Sequence, residues 1–188
     1  MSVLPILAYG DPVLKNRAKP ITKDHQGLSA LIENMWETMY RAQGVGLAAP
    51  QVGESIRLFI IDASPYAEEE PDLEGFKKVF INAQIIEESG KAFLFNEGCL
   101  SFPGLREDIR RLPTIKLNYL DEDFNKHEET FTGLKARIIQ HEYDHIDGML
   151  MVDRITPLKK TLLRKKLQNI SKGNVSVDYP MKFPLRKR

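Results

Sequence analysis

The chain holds one cysteine, Cys99, so no disulfide can form within its 188 residues. That usage fits a reducing compartment, and a cytoplasmic location is the expectation. No run approaches the roughly 18 consecutive apolar residues that a membrane-crossing helix needs. The start, MSVLPILAYGDPVLK, has no charged stretch leading into a long apolar one, so no signal peptide is expected. Internal repeats and low-complexity segments are missing too. The glycine-rich stretch GVGLAAPQ (44–51) lacks the G-K-[ST] ending of a phosphate loop and the full spacing of a dinucleotide fingerprint. What remains is an ordinary globular composition, 42% hydrophobic and 28% charged, which excludes a disordered chain.

The net charge of +1 hides an asymmetry: residues 154–188 carry eleven of the 27 Lys/Arg but one of the 26 acids, Asp178. Such an end is either a soluble helix and tail or a surface for an anionic partner.

Periodicity sets out the elements. LSALIENMWETMYRAQ (28–43) places Leu28, Leu31, Ile32, Met35, Trp36 and Met39 on one helical face. IRLFIID (56–62) and KVFINAQII (78–86) read as strands, and the acidic SPYAEEEPDLEGF between them as a surface loop tolerant of change. Shorter strands are expected at 92–95, 114–120 and 128–131. A helix follows, with Thr132 to cap it, Leu134, Ile138 and Ile139 as its stripe and Gly148 to end it. A last helix starts at Pro157 behind Thr156, with Leu158, Leu162, Leu163, Leu167 and Ile170 on one face. The expected fold class is α+β: small sheets packed around a central helix, flanked by an N-terminal and a C-terminal helix.

That central helix carries QHEYDH (140–145). His141 and His145 stand at i and i+4, on one face, with Glu142 one step round. H-E-x-x-H arises by chance in roughly one chain per hundred or two of this length, so the pentapeptide alone decides little. A catalytic site needs three protein ligands and an open position. No glutamate or histidine downstream supplies the third in the usual metalloprotease patterns; Met151 stands where one of them has histidine. Asp153 is one candidate and Cys99, in NEGCLSFPG (96–104), is another.

Three stretches together, GVGLAAPQ, EGCLS and QHEYDH, resemble the G-x-G-x-A-A-x-Q, E-G-C-x-S and Q-H-E-x-D-H motifs of the peptide deformylase family. Their order and spacing agree, and the resemblance covers roughly residues 1–170. It implies removal of the formyl group from the N-terminal formylmethionine of newly made polypeptides, with Cys99, His141 and His145 as ligands of one divalent metal ion. Fe(II) is the family's working ion; zinc, nickel or cobalt can substitute. Glu142 becomes the general base, and Gln51 with the backbone N–H of Leu100 the stabilisers of the oxyanion. Gly46 orients the formyl group, and Val45, Phe95, Glu97, Arg106, Leu134 and Ile138 join it in meeting the substrate. Arg137, at i−4 from His141, would line the pocket where relatives often carry an apolar residue. Asp144 and Asp147 are read as helix-surface or supporting groups.

The resemblance implies one catalytic domain over 1–172 and a basic tail over 173–188. Partners implied are formylmethionyl peptides and, through the basic last helix, the ribosome; no membrane and no specific DNA. Hydrolysis of a free formyl-peptide is expected to survive removal of the tail after Gly173. The competing reading is a zinc endopeptidase with His141, His145 and Asp153 as ligands; a structural metal module is the non-enzymatic one.

Overall fold

The computed structural model describes residues 2–185; Met1 and the basic residues Arg186, Lys187 and Arg188 of the tail lie outside them. In chain order the elements are β1 (Ile6–Leu7), α1 (Leu28–Arg41), β2 (Gly46–Ala48), β3 (Leu58–Asp62), β4 (Lys77–Ser89), β5 (Phe93–Gly98) and β6 (Arg106–Arg111). There follow β7 (Thr114–Leu120), β8 (Lys126–Thr132), α2 (Gly133–Ile146), α3 (Pro157–Leu162), α4 (Arg164–Lys172) and β9 (Met181–Lys182). This is a mixed helix-and-sheet protein, as expected. No helix among the described residues is long and apolar enough to cross a membrane.

A five-stranded antiparallel sheet runs in the order β2-β3-β4-β7-β8. The run LFII in β3 is buried throughout, because both faces of the sheet are covered. Successive side chains of a strand point to opposite faces. Leu58 and Ile60 pack with Ile32, Met35 and Met39 of α1. Phe59 and Ile61 pack with Ala136, Ile139 and Ile146 of α2. The sheet is thus sandwiched, and Phe59 stacks on its partner Phe80 at 4.8 Å between ring centroids. A third apolar cluster joins Leu7, Leu14, Phe102, Leu105 and Leu150–Val152 to Leu167 and Ile170 of α4.

Several expectations need correcting. GVGLAAPQ holds a strand, β2, rather than only a helix break, and β6 carries no apolar signal strong enough to be noticed. Thr132 occupies the capping position of α2 without a side-chain cap bond, whereas Thr156 does accept from Lys159 N–H at the start of α3. The acidic loop is not simply surface: Leu73 is fully buried in the core, where Tyr66 packs against it. The last helix is two. Leu163 (φ −82°, ψ −5°) ends α3 and begins α4, and Leu158 and Leu162 are 71% and 75% exposed instead of packed. Within the segment set apart as a tail, β9 pairs in parallel with β1, Ile6 beside Met181 and Leu7 beside Lys182.

Candidate metal centre

Helix α2 presents His141 and His145, and the turn after β5 brings Cys99 to them. The three ligand atoms lie within 4.8 Å of one another, with Cys99 Sγ 3.3 Å from His145 Nε2. The Nδ1 of His141 is engaged by Glu97 Oε2 at 2.9 Å, which leaves its Nε2 for an ion. A thiolate and two imidazoles suit a catalytic divalent site that keeps one position open. Cys99, His141 and Glu142 border a cavity of about 380 Å³, which gives that open position somewhere to face.

Glu142 is buried, and its Oε2 has no hydrogen-bond partner among the described residues. Burial pushes its pKa up to about 7, against the pull of His141. A carboxylate poised there can both take and give a proton near neutral pH. Room for it comes from Gly46, where an added Cβ would stand 2.8 Å from Glu142 Cδ. Gly44 is likewise pressed by Leu100, whose Cδ1 would lie 2.8 Å from a Cβ. Gln51 accepts from Ala48 N–H at 2.9 Å. Its amide is thereby turned to donate to Ser101 Oγ at 3.2 Å and toward Cys99 Sγ at 3.6 Å.

The same cavity is bordered by Val45, Gly46, Gln51, Phe95, Glu97, Leu100, Arg106, Leu134 and Ile138. The residues marked in the sequence therefore gather around one space, and His145 is buried beside Cys99. Glu97 needs a different role from substrate contact. Its carboxylate is held by Arg111 (2.7 and 3.0 Å), Arg137 (3.0 Å) and His141. Burial alone would raise its pKa, but the bonds from His141 and Arg111 outweigh it and hold the group well below the usual carboxylate range. Glu97 thus orients the imidazole. Arg137 does not offer a free charge to the pocket: besides Glu97 it donates to Ile109 O (3.0 Å) and Phe93 O (3.1 Å), and its guanidinium lies 4.5 Å from the Phe93 ring centre.

Residues unforeseen in the sequence complete the support. Arg111 bridges Glu97 to Asp144 (2.8 Å), and Arg154 closes on Asp144 from the other side at 2.5 Å. Asp144 is a buried supporting group rather than a surface one. Asp147 pairs with Arg57 at 2.7 Å. Tyr66 and Tyr179 also border the cavity. Asp153, the ligand of the competing reading, is engaged by Lys15 and Lys160 and accepts from Leu150 N–H. It is no member of the cluster.

The chain is similar to known proteins over most of its length. The polypeptide deformylase family model matches residues 3–161. The peptide deformylase of Christiangramia forsetii is 55% identical, over 99% of this chain and 98% of its own. That of Cytophaga hutchinsonii is 48% identical, over 98% of this chain and all of its own. Among solved structures, the peptide deformylase of Thermotoga maritima superposes with a TM-score of 0.75 at 42% identity, covering 84% of this chain and all of that one. The Legionella pneumophila enzyme gives 0.79 at 38% identity, over 92% and 98%.

Proposed function

The chain belongs to the polypeptide deformylase family, and from that premise we propose that Cys99, His141 and His145 hold its metal ion and Glu142 moves the proton. It is a hydrolase that removes the N-formyl group from nascent peptides. The observation that carries the residue assignment is the Cys/His/His cluster beside a buried, unpartnered carboxylate at the edge of one cavity. A divalent cation supplies Lewis acidity there, activating water and polarising the formyl oxygen.

The protein's own groups do the rest. Glu142 takes the proton of the attacking water and delivers it to the leaving amine. The Gln51 amide and the Leu100 N–H meet the carbonyl oxygen as it gains negative charge. Glu97, locked by Arg111 and Arg137, fixes the His141 ring. Leu134, Ile138, Val45 and Phe95 supply apolar walls for the methionine side chain, and Gly46 and Arg106 offer polar contacts to the formyl group and the peptide backbone. All proposed ligands and donors fall in residues 1–172, taken as one catalytic domain. The working ion is proposed to be Fe(II), as the family implies; thiolate and imidazole ligands accept zinc, nickel or cobalt as well, and at equal supply would favour these heavier ions. The cytoplasm is the proposed location.

The test is formate release from formyl-Met-Ala-Ser by anaerobically purified protein. Acetyl-Met-Ala-Ser is the informative control. Glu142 and Leu100 already press on Gly46 and Gly44 at the edge of the cavity, so an extra methyl on the reacting carbon has little room. Overpacking costs on the order of 1–3 kcal/mol, which is roughly 5- to 150-fold. Formyl carbonyls are also the more electrophilic. Similar kcat/KM for both peptides would defeat the tight-site account.

For the ribosome, we propose contact through the exposed Arg164, Lys165 and Lys166 of α4. Lys159 and Lys160 are weaker candidates because they pair with Glu107 and Asp153. RNA phosphate attracts such a face without sequence readout, and salt weakens it steeply. Reversing the charges of Arg164, Lys165 and Lys166 is expected to abolish low-salt co-sedimentation with ribosomes while hydrolysis of free peptide persists. Unchanged co-sedimentation removes the docking role.

A further inference from the structure

The family match ends at residue 161, yet a residue 18 positions further on stands in the cavity wall. Tyr179 borders the same space as Glu142 and Gln51, and its hydroxyl donates to the carbonyl of Leu100 at 2.8 Å. Its place is fixed by the chain after it. Ile6 N–H donates to Pro180 O and Ala8 N–H to Lys182 O, both at 2.9 Å, so β9 is zipped to β1 directly beyond Tyr179. Strand β1 then reaches the same loop from its own end: Tyr9 N–H donates to Ser101 O at 2.9 Å, and the Tyr9 ring lies 5.1 Å from that of Phe102.

Two consecutive carbonyls, Leu100 and Ser101, are therefore held by two segments that are themselves hydrogen-bonded to each other. We propose that Tyr179 is a positioning residue for the reaction, acting through Leu100, and that the segment after Gly173 is part of the catalytic machinery. The proposal rests on the reading of Leu100 N–H as a donor to the developing oxyanion. That N–H belongs to the peptide plane between Cys99 and Leu100. On one side the plane is anchored by the Cys99 side chain at the cluster; on the other, the next plane is fixed by the Tyr179 hydroxyl. Donors aimed in advance at the place where charge develops are worth most when they need no reorganisation during reaction. The carbonyl of the first plane, Cys99 O, accepts from Phe102 N–H at 2.9 Å; without the Tyr179 hydroxyl this bond remains, but the neighbouring plane loses its anchor and Leu100 N–H is aimed less tightly. The substrate binds as before, and the transition state is stabilised less. The expectation that the tail is dispensable for hydrolysis gives way accordingly.

Tyr179→Phe isolates the hydroxyl, since it keeps the ring and the β9 ladder. Loss of one hydrogen bond predicts a fall in kcat of about 3- to 10-fold, with KM for formyl-Met-Ala-Ser, metal content and melting temperature unchanged. Removal of residues 174–188 is expected to lower kcat at least as far. Should the shortened chain fail to fold, the full-length Phe variant still decides. A wild-type kcat in Tyr179→Phe overturns the proposal, as does a change confined to KM or to melting temperature, which would make the residue mere wall. Gln51→Ala tests the proposed oxyanion site separately: full activity there removes the Gln51 amide as a donor, while Tyr179→Phe still decides the part played through Leu100.

Discussion

Glu142→Gln is expected to lower kcat on formyl-Met-Ala-Ser by roughly a hundred- to ten-thousand-fold, the range over which a positioned acid–base group acts. The substitution is close to isosteric, and fit matters here because the side chain is packed against the glycine at position 46. Glutamine fills that space but cannot accept the proton of water or return it to the amine. The carboxylate Oε2 has no hydrogen-bond partner among the described residues, so the change severs no structural bond of that atom. Elemental analysis should find the parent's metal content, and circular dichroism the parent's fold. Full activity in a folded, metal-loaded variant would remove Glu142 from the mechanism.

A comparable loss is expected from Cys99→Ser, by a different route. The thiolate is one of three ligands, and losing even an outer partner of a ligand typically costs 10- to 100-fold in metal affinity or activity. Loss of the ligand itself should exceed that, with metal content and formate release falling together. Asp153→Asn provides the contrast. Its carboxylate serves Lys15 and Lys160, so metal content should be unchanged, where an endopeptidase with Asp153 as ligand requires the reverse pair of outcomes. A Cys99→Ser protein that binds one equivalent of metal as tightly as its parent would reject the Cys/His/His assignment.

How far the sequence foretold this depends on the range of the interaction. The continuous apolar run of Leu58 to Ile61 and the stripe Ile32, Met35, Met39 are local patterns, and the corresponding elements stand where the sequence placed them. Three short motifs marked the residues that border the cavity. The leucines at 158 and 162 show the limit of periodicity: their spacing continues into Leu167 and Ile170, but one residue with ψ near zero, Leu163, breaks the helix and leaves them in solvent. The partners of Glu97 were illegible for another reason. Arg111 and Arg137 are 14 and 40 residues away, and nothing in the pattern REDIRR says which arginine turns inward. Two-residue strands such as β1 and β9 carry no period at all.

The pairing of β1 with β9 also dictates when the enzyme can exist. A translating ribosome releases Ile6 long before Met181, so their ladder cannot close until residue 182 has been made. Loop closure over so long a span is the slowest kind of contact to form. The sheet and α2 can assemble earlier in synthesis, but the wall that Tyr179 contributes is anchored only once β9 has been made. In a protein that trims the beginnings of unfinished chains, this side of the cavity closes only once its own β9 has been made.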